Sequence, residues 1–273
     1  RSNTTDGLTP YAHHWTGDNQ FLNDTLSDKV TFSSSVPGTY TVYYTVTDAR
    51  GKTDKDSVSV TVHELPEIAM ADTFHVCKNG TVQLTNSISG GSGTYTQFRW
   101  RKDKVYLNDT TLQQPIFNSF IAQTYTSILK VTDDRGCANF DTTKIVNHAL
   151  PVPDFTPSPD KGCSPLEVSM NNTSTDAVTY IWKYGDGEYD STNTEEPTHT
   201  FANNQATNQN MSIKLITTSD QGCIDSTEKF VEVYAEQDAP ITISDSSIGC
   251  SPFTVLLVGN EDVNNIQSYL WKF

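Results

Sequence analysis

Nowhere in its 273 residues does the sequence hold an apolar run long enough to span a bilayer, and no charged-then-apolar leader or initiating Met precedes Arg1. Basic residues are scarce, 18 against 33 acidic ones, and the net charge of −15 disfavours nucleic acid and anionic lipid as partners. No segment keeps an apolar stripe at helical spacing for several turns, which argues against a helical core. The usual marks of metal, nucleophilic and nucleotide chemistry are missing too: there is no Cys-x-x-Cys, His-Glu-x-x-His, nucleophile elbow, phosphate loop or dinucleotide fingerprint. What remains is a chain dominated by Thr, Val, Tyr, Asn, Asp and Ser. Its short alternating runs, bounded by Gly, Pro, Asn and Asp, predict an all-β fold with frequent turns.

An internal repeat organises these runs, and a fixed period decides architecture before any local pattern does. The four tryptophans are Trp15, Trp100, Trp182 and Trp271, separated by 85, 82 and 89 residues. A turn recurs as Asp48-Ala49-Arg50-Gly51, Asp133-Asp134-Arg135-Gly136 and Ser219-Asp220-Gln221-Gly222, its Gly supplying a positive-φ position. Before each turn runs an alternating strand: Tyr40, Val42, Tyr44 and Val46; Tyr125, Ser127, Leu129 and Val131; Met211, Ile213, Leu215 and Thr217. A second strand follows each turn, clearest as Val58, Val60 and Val62. Pro-containing segments at Leu65-Pro66, Leu150-Pro151-Val152-Pro153 and Asp238-Ala239-Pro240 separate the units. The expectation is therefore a string of two-sheet sandwiches of immunoglobulin-like kind, with modules at 1–64, 65–149 and 150–236 complete and a fourth at 237–273 cut short. The C-terminal Leu270-Trp271-Lys272-Phe273 falls inside a predicted strand, so the chain reads as a window onto a longer protein.

Four of the five cysteines share one spacing, 60 residues from Cys77 to Cys137 and 60 from Cys163 to Cys223. This predicts two disulfides, Cys77 to Cys137 and Cys163 to Cys223, each closing one module, and an oxidising compartment. Cys250 stands where Cys77 and Cys163 stand in their units, and its expected partner falls past Phe273.

The run Trp182-Lys183-Tyr184-Gly185-Asp186-Gly187, followed by Pro197-Thr198-His199-Thr200-Phe201, resembles the PKD-domain signature, a Trp-x-Phe-Gly-Asp-Gly run leading through a variable loop to Pro-x-His-x-Tyr. Tyr269-Leu270-Trp271-Lys272-Phe273 is similar to the start of the same motif. The first two modules lack Gly-Asp-Gly, so for them only the repeat and the sandwich carry over. Tandem PKD-like modules with a Cys after an Asp-x-x-Gly turn resemble those of very large surface proteins of the Bacteroidota, including gliding-motility adhesins exported by the type IX secretion system. The resemblance implies a secreted, cell-surface location, with secretion or surface-anchoring machinery, other modules of the same chain and extracellular glycans as partners. Six Asp-Ser/Thr triplets, with hydroxyls at Thr25, Ser57, Thr110, Thr142, Ser191 and Ser226, are similar to the O-glycosylation site of that phylum.

No catalytic set emerges from the sequence. His13 and His14 would point to opposite faces of a strand, and the separation of a glycosidase pair cannot be read from adjacent Glu195 and Glu196. Asp186, Glu188 and Asp190 alternate and are the calcium candidates, with no other metal or cofactor indicated. The expected function is a non-catalytic spacer or filament of an adhesive surface protein. The rival readings are accessory modules of a secreted hydrolase whose catalytic domain lies elsewhere, or carbohydrate binding through Tyr43, Tyr106 or Tyr189.

Overall fold

A computed structural model describes residues 7–235 and, beyond them, the backbone of two short paired strands, Ile241–Ile243 and Leu257–Gly259. The remainder of the predicted fourth module, with Cys250 and Trp271, lies outside the described residues. Strand accounts for 55% of the described residues and helix for 3%, which makes the fold all-β. The chain divides into two compact units, Arg1–Ala149 and Leu150–Phe273.

In chain order the first unit holds β1 (Ala12–Gly17), β2 (Gly38–Thr47), β3 (Thr53–Val62), β4 (Pro66–Met70), β5 (Thr73–Cys77), β6 (Thr81–Gln83), β7 (Asn86–Gly90), β8 (Tyr95–Arg101), β9 (Ile116–Asn118), β10 (Thr124–Asp133) and β11 (Ala138–His148). The second holds β12 (Phe155–Ser158), β13 (Lys161–Cys163), β14 (Leu166–Asn172), β15 (Thr179–Tyr184), β16 (Tyr189–Asp190), β17 (Thr198–Phe201), β18 (Gln209–Thr218) and β19 (Ile224–Tyr234).

Residues 150–235 form a sandwich of two sheets, β13-β19-β18-β15-β16 and β12-β14-β17. The inward residues follow from the period-2 rule: Ile213 and Leu215 on β18, Val231 and Val233 on β19, and Val168 and Met170 on β14 meet Trp182, Phe155 and Phe201 in one core. Residues 65–149 repeat the plan with sheet β5-β11-β10-β8 facing β4-β7 and β6-β9, around Trp100, Phe117, Tyr125, Leu129 and Ile145. In both, the strand carrying the first cysteine pairs parallel to the module's last strand, β5 with β11 and β13 with β19, while other neighbours run antiparallel.

Residues 7–64 depart from the expected complete sandwich. The described residues there form one antiparallel sheet, β1-β2-β3, without a second facing sheet. The consequence is visible on β3, where Val58 pairs with buried Val42 and so shares its face, yet is 50% exposed. Thr143, at the equivalent place on β11, is 1% exposed.

Candidate functional site

Three devices recur at the repeat period and account for the residues that the sequence marked. The first is the tryptophan. Trp15, Trp100 and Trp182 each donate the indole N–H to a backbone carbonyl 12 residues downstream, on Ser27, Leu112 and Thr194, at 2.9 Å in every case. A buried indole nitrogen needs such a partner, and here it ties down the segment leaving the strand. Trp100 and Trp182 are sealed in their cores and Trp182 packs edge-on against Phe155 with ring centres 5.0 Å apart, whereas Trp15 is only half-buried.

The second device is the turn between the two long strands. Asp48 Oδ1 accepts from the N–H groups of Arg50 and Lys52, and Asp133 Oδ1 from those of Arg135 and Cys137. In the third copy the Ser219 hydroxyl accepts from Cys223 N–H. The glycine at each turn has φ of +81°, +84° and +78°, a region that costs other residues energy. The Lys52 N–H holds the Asp48 carboxyl below the usual carboxylate range.

The third device, found in two of the copies, is the tyrosine near the start of β2 and β10. Tyr40 and Tyr125 each donate their hydroxyl to the carbonyl four residues upstream, on Val36 and Ile121. This is the tyrosine corner of immunoglobulin-like sandwiches. Met211 stands there on β18, and Asn203 ties the same region instead, its side-chain amide donating to Thr207 O and Val233 O.

The PKD-like motif wraps a local cluster. Tyr184 lies flat on His199, with ring centres 3.8 Å apart and planes 4° apart, and both meet Phe201 edge-on. His199 Nε2 is 2.6 Å from Asp186 Oδ2, and its Nδ1 is 4.0 Å from Glu188. Asp186 Oδ1 also accepts from Glu188 N–H. Gly185 is required by a close approach, because a Cβ there would stand 2.7 Å from the Ser212 nitrogen. Burial, reinforced by the Asp190 and Asp186 charges, pushes the Tyr184 phenol up to about 12. The imidazole thus sits between two carboxylates and pins β17 to the β15–β16 turn, and no nucleophile is hydrogen-bonded to it in the described residues.

The calcium candidates do not converge. Asp186 is taken by His199, and Asp190 accepts from both the hydroxyl and the N–H of Thr192. No group of three or more His, Cys, Asp or Glu side chains among the described residues is placed to hold a metal ion. His13 approaches the Tyr44 hydroxyl at 2.5 Å while His14 is exposed, and Glu195 and Glu196 are both exposed. Of the three tyrosines singled out for sugar stacking, Tyr43 and Tyr189 are exposed, 47% and 70%, but Tyr106 packs edge-on against Tyr125 at 4.6 Å. Tyr106 is partly buried against the core of residues 65–149.

The six Asp-Ser/Thr triplets fall into two registers. Asp24, Asp109 and Asp190 each accept from the N–H two residues on, in Asx turns just after the tryptophan strand. The hydroxyls of Ser27, Thr111 and Thr192 respectively hold these three carboxyls below the usual range. Asp56, Asp141 and Asp225 on β3, β11 and β19 each accept from the next N–H. Ser57, Thr142, Ser191 and Ser226 are exposed, and Thr25 and Thr110 half-buried.

The cysteines correct the predicted pairing. Cys77 and Cys223 are disulfide-bonded, whereas Cys137 and Cys163 carry free thiols. Strand register explains why Cys77 cannot bond Cys137. Cys77 stands opposite His148, the last residue of β11, while Cys137 immediately precedes the first, and an 11-residue strand at about 3.3 Å per residue separates them by roughly 35 Å. Cys163 stands opposite Tyr234 at the end of 11-residue β19, and Cys223 precedes its start. A disulfide tolerates a Cα separation of at most about 7 Å, so neither bond can close within its own sandwich.

Residues 148–233 match the family model of the PKD domain. No protein of curated function matches the chain. Among solved structures, the PKD1 domain of Vibrio anguillarum Epp is 24% identical with a TM-score of 0.26, the match covering 32% of this chain and 96% of that one. Fibronectin(III)-like modules of CbhA from Clostridium thermocellum are 11% identical with a TM-score of 0.34, covering 63% and 95%. An I-band fragment of titin is 16% identical with a TM-score of 0.39, covering 85% and 90%. Residues 148–233 are thus similar to a PKD domain, a module that is generally non-catalytic, and lie in a chain whose own strands build tandem β-sandwiches. No helix among the described residues is long and apolar enough to cross a membrane.

Proposed function

We propose that this chain is a non-catalytic structural or adhesive segment of a long extracellular protein, in which tandem sandwiches act as spacer or filament. The observation that carries this reading is the thrice-repeated bond from the indole nitrogen to the carbonyl 12 residues on, accompanied by the same turn. A scaffold rebuilt with its polar groups committed to holding itself together is what a length-giving repeat requires. The disulfide-bonded cysteines support an oxidising, extracellular setting. Membership of a Bacteroidota surface protein of the gliding-motility type, exported by type IX secretion, is the finer form of the proposal and rests on repeat style. O-glycosylation at the exposed Ser57, Thr142, Ser191 and Ser226 belongs to the same proposal.

The test is made on intact source cells and on the parent reading frame. Antibodies raised against this chain should label unpermeabilised cells, and external protease should remove the label. The parent frame should encode many further copies of the repeat. Label seen only after permeabilisation, or a catalytic domain in the same frame, would overturn the spacer reading.

A further inference from the structure

The outward face of the sheet β5-β11-β10-β8 differs from the rest of this acidic chain. Register places Arg99 opposite Lys130 and Lys130 opposite Phe140, so these three side chains form one row across β8, β10 and β11. One step along, Arg101 stands opposite Ile128, and a further step brings Lys144 opposite Thr126. Alternation puts all of them on the face opposite to buried Trp100, Leu129 and Ile145. No carboxylate of β5, β8, β10 or β11 shares that face, since Asp141 and Asp133 alternate to the other side. Phe140 is 51% exposed, with the Arg101 guanidinium and the Lys130 ammonium each 5.8 Å from its ring centre.

Like charges placed directly opposite one another on a sheet repel, so the Arg99–Lys130 pair serves no stability purpose of its own. The corresponding face of residues 150–235 also sets Lys183 opposite Lys214, but acidic partners offset the cations there: Lys214 stands opposite Glu228 as well, and Lys161 opposite Glu232. We propose that this cationic face with Phe140 at its centre binds an acidic polysaccharide, a polymer of carboxylated sugars. The flat exposed ring fits the apolar C–H face of a sugar, and the flanking guanidinium and ammonium groups fit its carboxylates. A peptide ligand is less well served, because backbone groups in the middle of a sheet are already paired in the ladder and offer it no main-chain partners. The face is the flat side of a sheet, so each contact is weak and a polymer gains by laying several sugars across it. This inference goes beyond the spacer role and does not depend on it.

The experiment is affinity electrophoresis of the full chain through gels containing polygalacturonate or, as neutral control, dextran. Because Thr142 borders the face, the protein is made in a host that does not glycosylate it. Retardation by polygalacturonate but not dextran is expected, fading as salt is raised. The Arg99→Ala/Lys130→Ala pair should weaken it about tenfold or more, Phe140→Ala about threefold, and Lys214→Ala not measurably. All are surface changes, and circular dichroism confirms that each variant folds. No retardation at low salt, equal retardation by dextran, or equal loss with Lys214→Ala would each overturn the proposal. So would self-association of the chain abolished by the Arg99→Ala/Lys130→Ala pair without polyuronate binding, since the face would then receive a protein.

Discussion

Trp15 and Trp182 make the same hydrogen bond, at the same distance, to a carbonyl the same number of residues away, and yet one is half-buried and the other sealed. The strand before the turn is likewise well formed in both places. What differs is the opposing layer: residues 150–235 bring β12, β14 and β17 against it, and residues 7–64 hold a lone sheet among the described residues. Local design and core burial are therefore separable here. The strand, turn and indole staple are written within about forty residues of sequence, whereas burial needs the other half of the module.

The sharpest way to break this comparison is to truncate both indoles. Trp182→Ala should destabilise its sandwich by about 3–5 kcal/mol, and Trp15→Ala its sheet by only about 1 kcal/mol, as followed by hydrogen exchange resolved by peptide during urea denaturation. Equal losses would mean that Trp15 is as well covered as Trp182. A second contrast concerns Tyr184. Its folded-state pKa is pushed up to about 12 from an ordinary value near 10. The unfolded phenol ionises first, so the stabilisation is fully present below pH 10 and is lost as pH rises toward 12, about 2–3 kcal/mol in all. Tyr184→Phe should flatten that part of the stability-versus-pH curve for residues 150–235, and a curve identical to wild type would refute the buried phenol as its source.

A smaller effect separates the two acidic turns. Asp133 is 2% exposed and also accepts from Ser92 N–H, so Asp133→Ala leaves three part-buried donors unpaired and should cost about 2 kcal/mol. Asp48→Ala, in a more open turn, should cost less by the same measurement. Smallest of all is Cys163→Ser, which should leave the denaturation midpoint within about 0.5 kcal/mol, because the thiol is exposed and free. Alkylation before reduction should tag Cys137 and Cys163 and spare Cys77 and Cys223. A non-reduced peptide joining Cys77 to Cys137 would contradict the strand register itself.

Much of the scaffold was legible because its signals are local. The indole spacing, the turn glycines and the alternation on β10 and β18 are all read within one strand and its neighbour. The cysteines misled for a general reason. In a repeat of fixed period, equal spacing is preserved whichever copies are joined, so 60 and 60 carried no information about pairing. The parallel placement of β5 beside β11, which puts the two cysteines at opposite ends, is a tertiary fact. Tyr106 was misread similarly, since nothing in its own neighbourhood announces that Tyr125 will cover it. The calcium candidates do not alternate along one strand, since Asp186 and Glu188 fall in the connection between β15 and β16, and the Asp186 and Asp190 lone pairs are committed to His199 and to the Thr192 hydroxyl and amide donors. Loss of Tyr at the Met211 position had its signal elsewhere, in buried Asn203, outside the motif under inspection.

The parallel pairing of each module's early strand with its final one carries a mechanical consequence. Pulling on the two ends of such a module drags β5 and β11, or β13 and β19, lengthwise past each other. Their ladder is then loaded in shear, all rungs together, rather than peeled open one rung at a time. Five residue pairs share that load between β5 and β11 and three between β13 and β19. Of the two sandwiches, residues 150–235 should yield first under stretch, and their rupture force sets the limit that the pair can transmit while both stay folded.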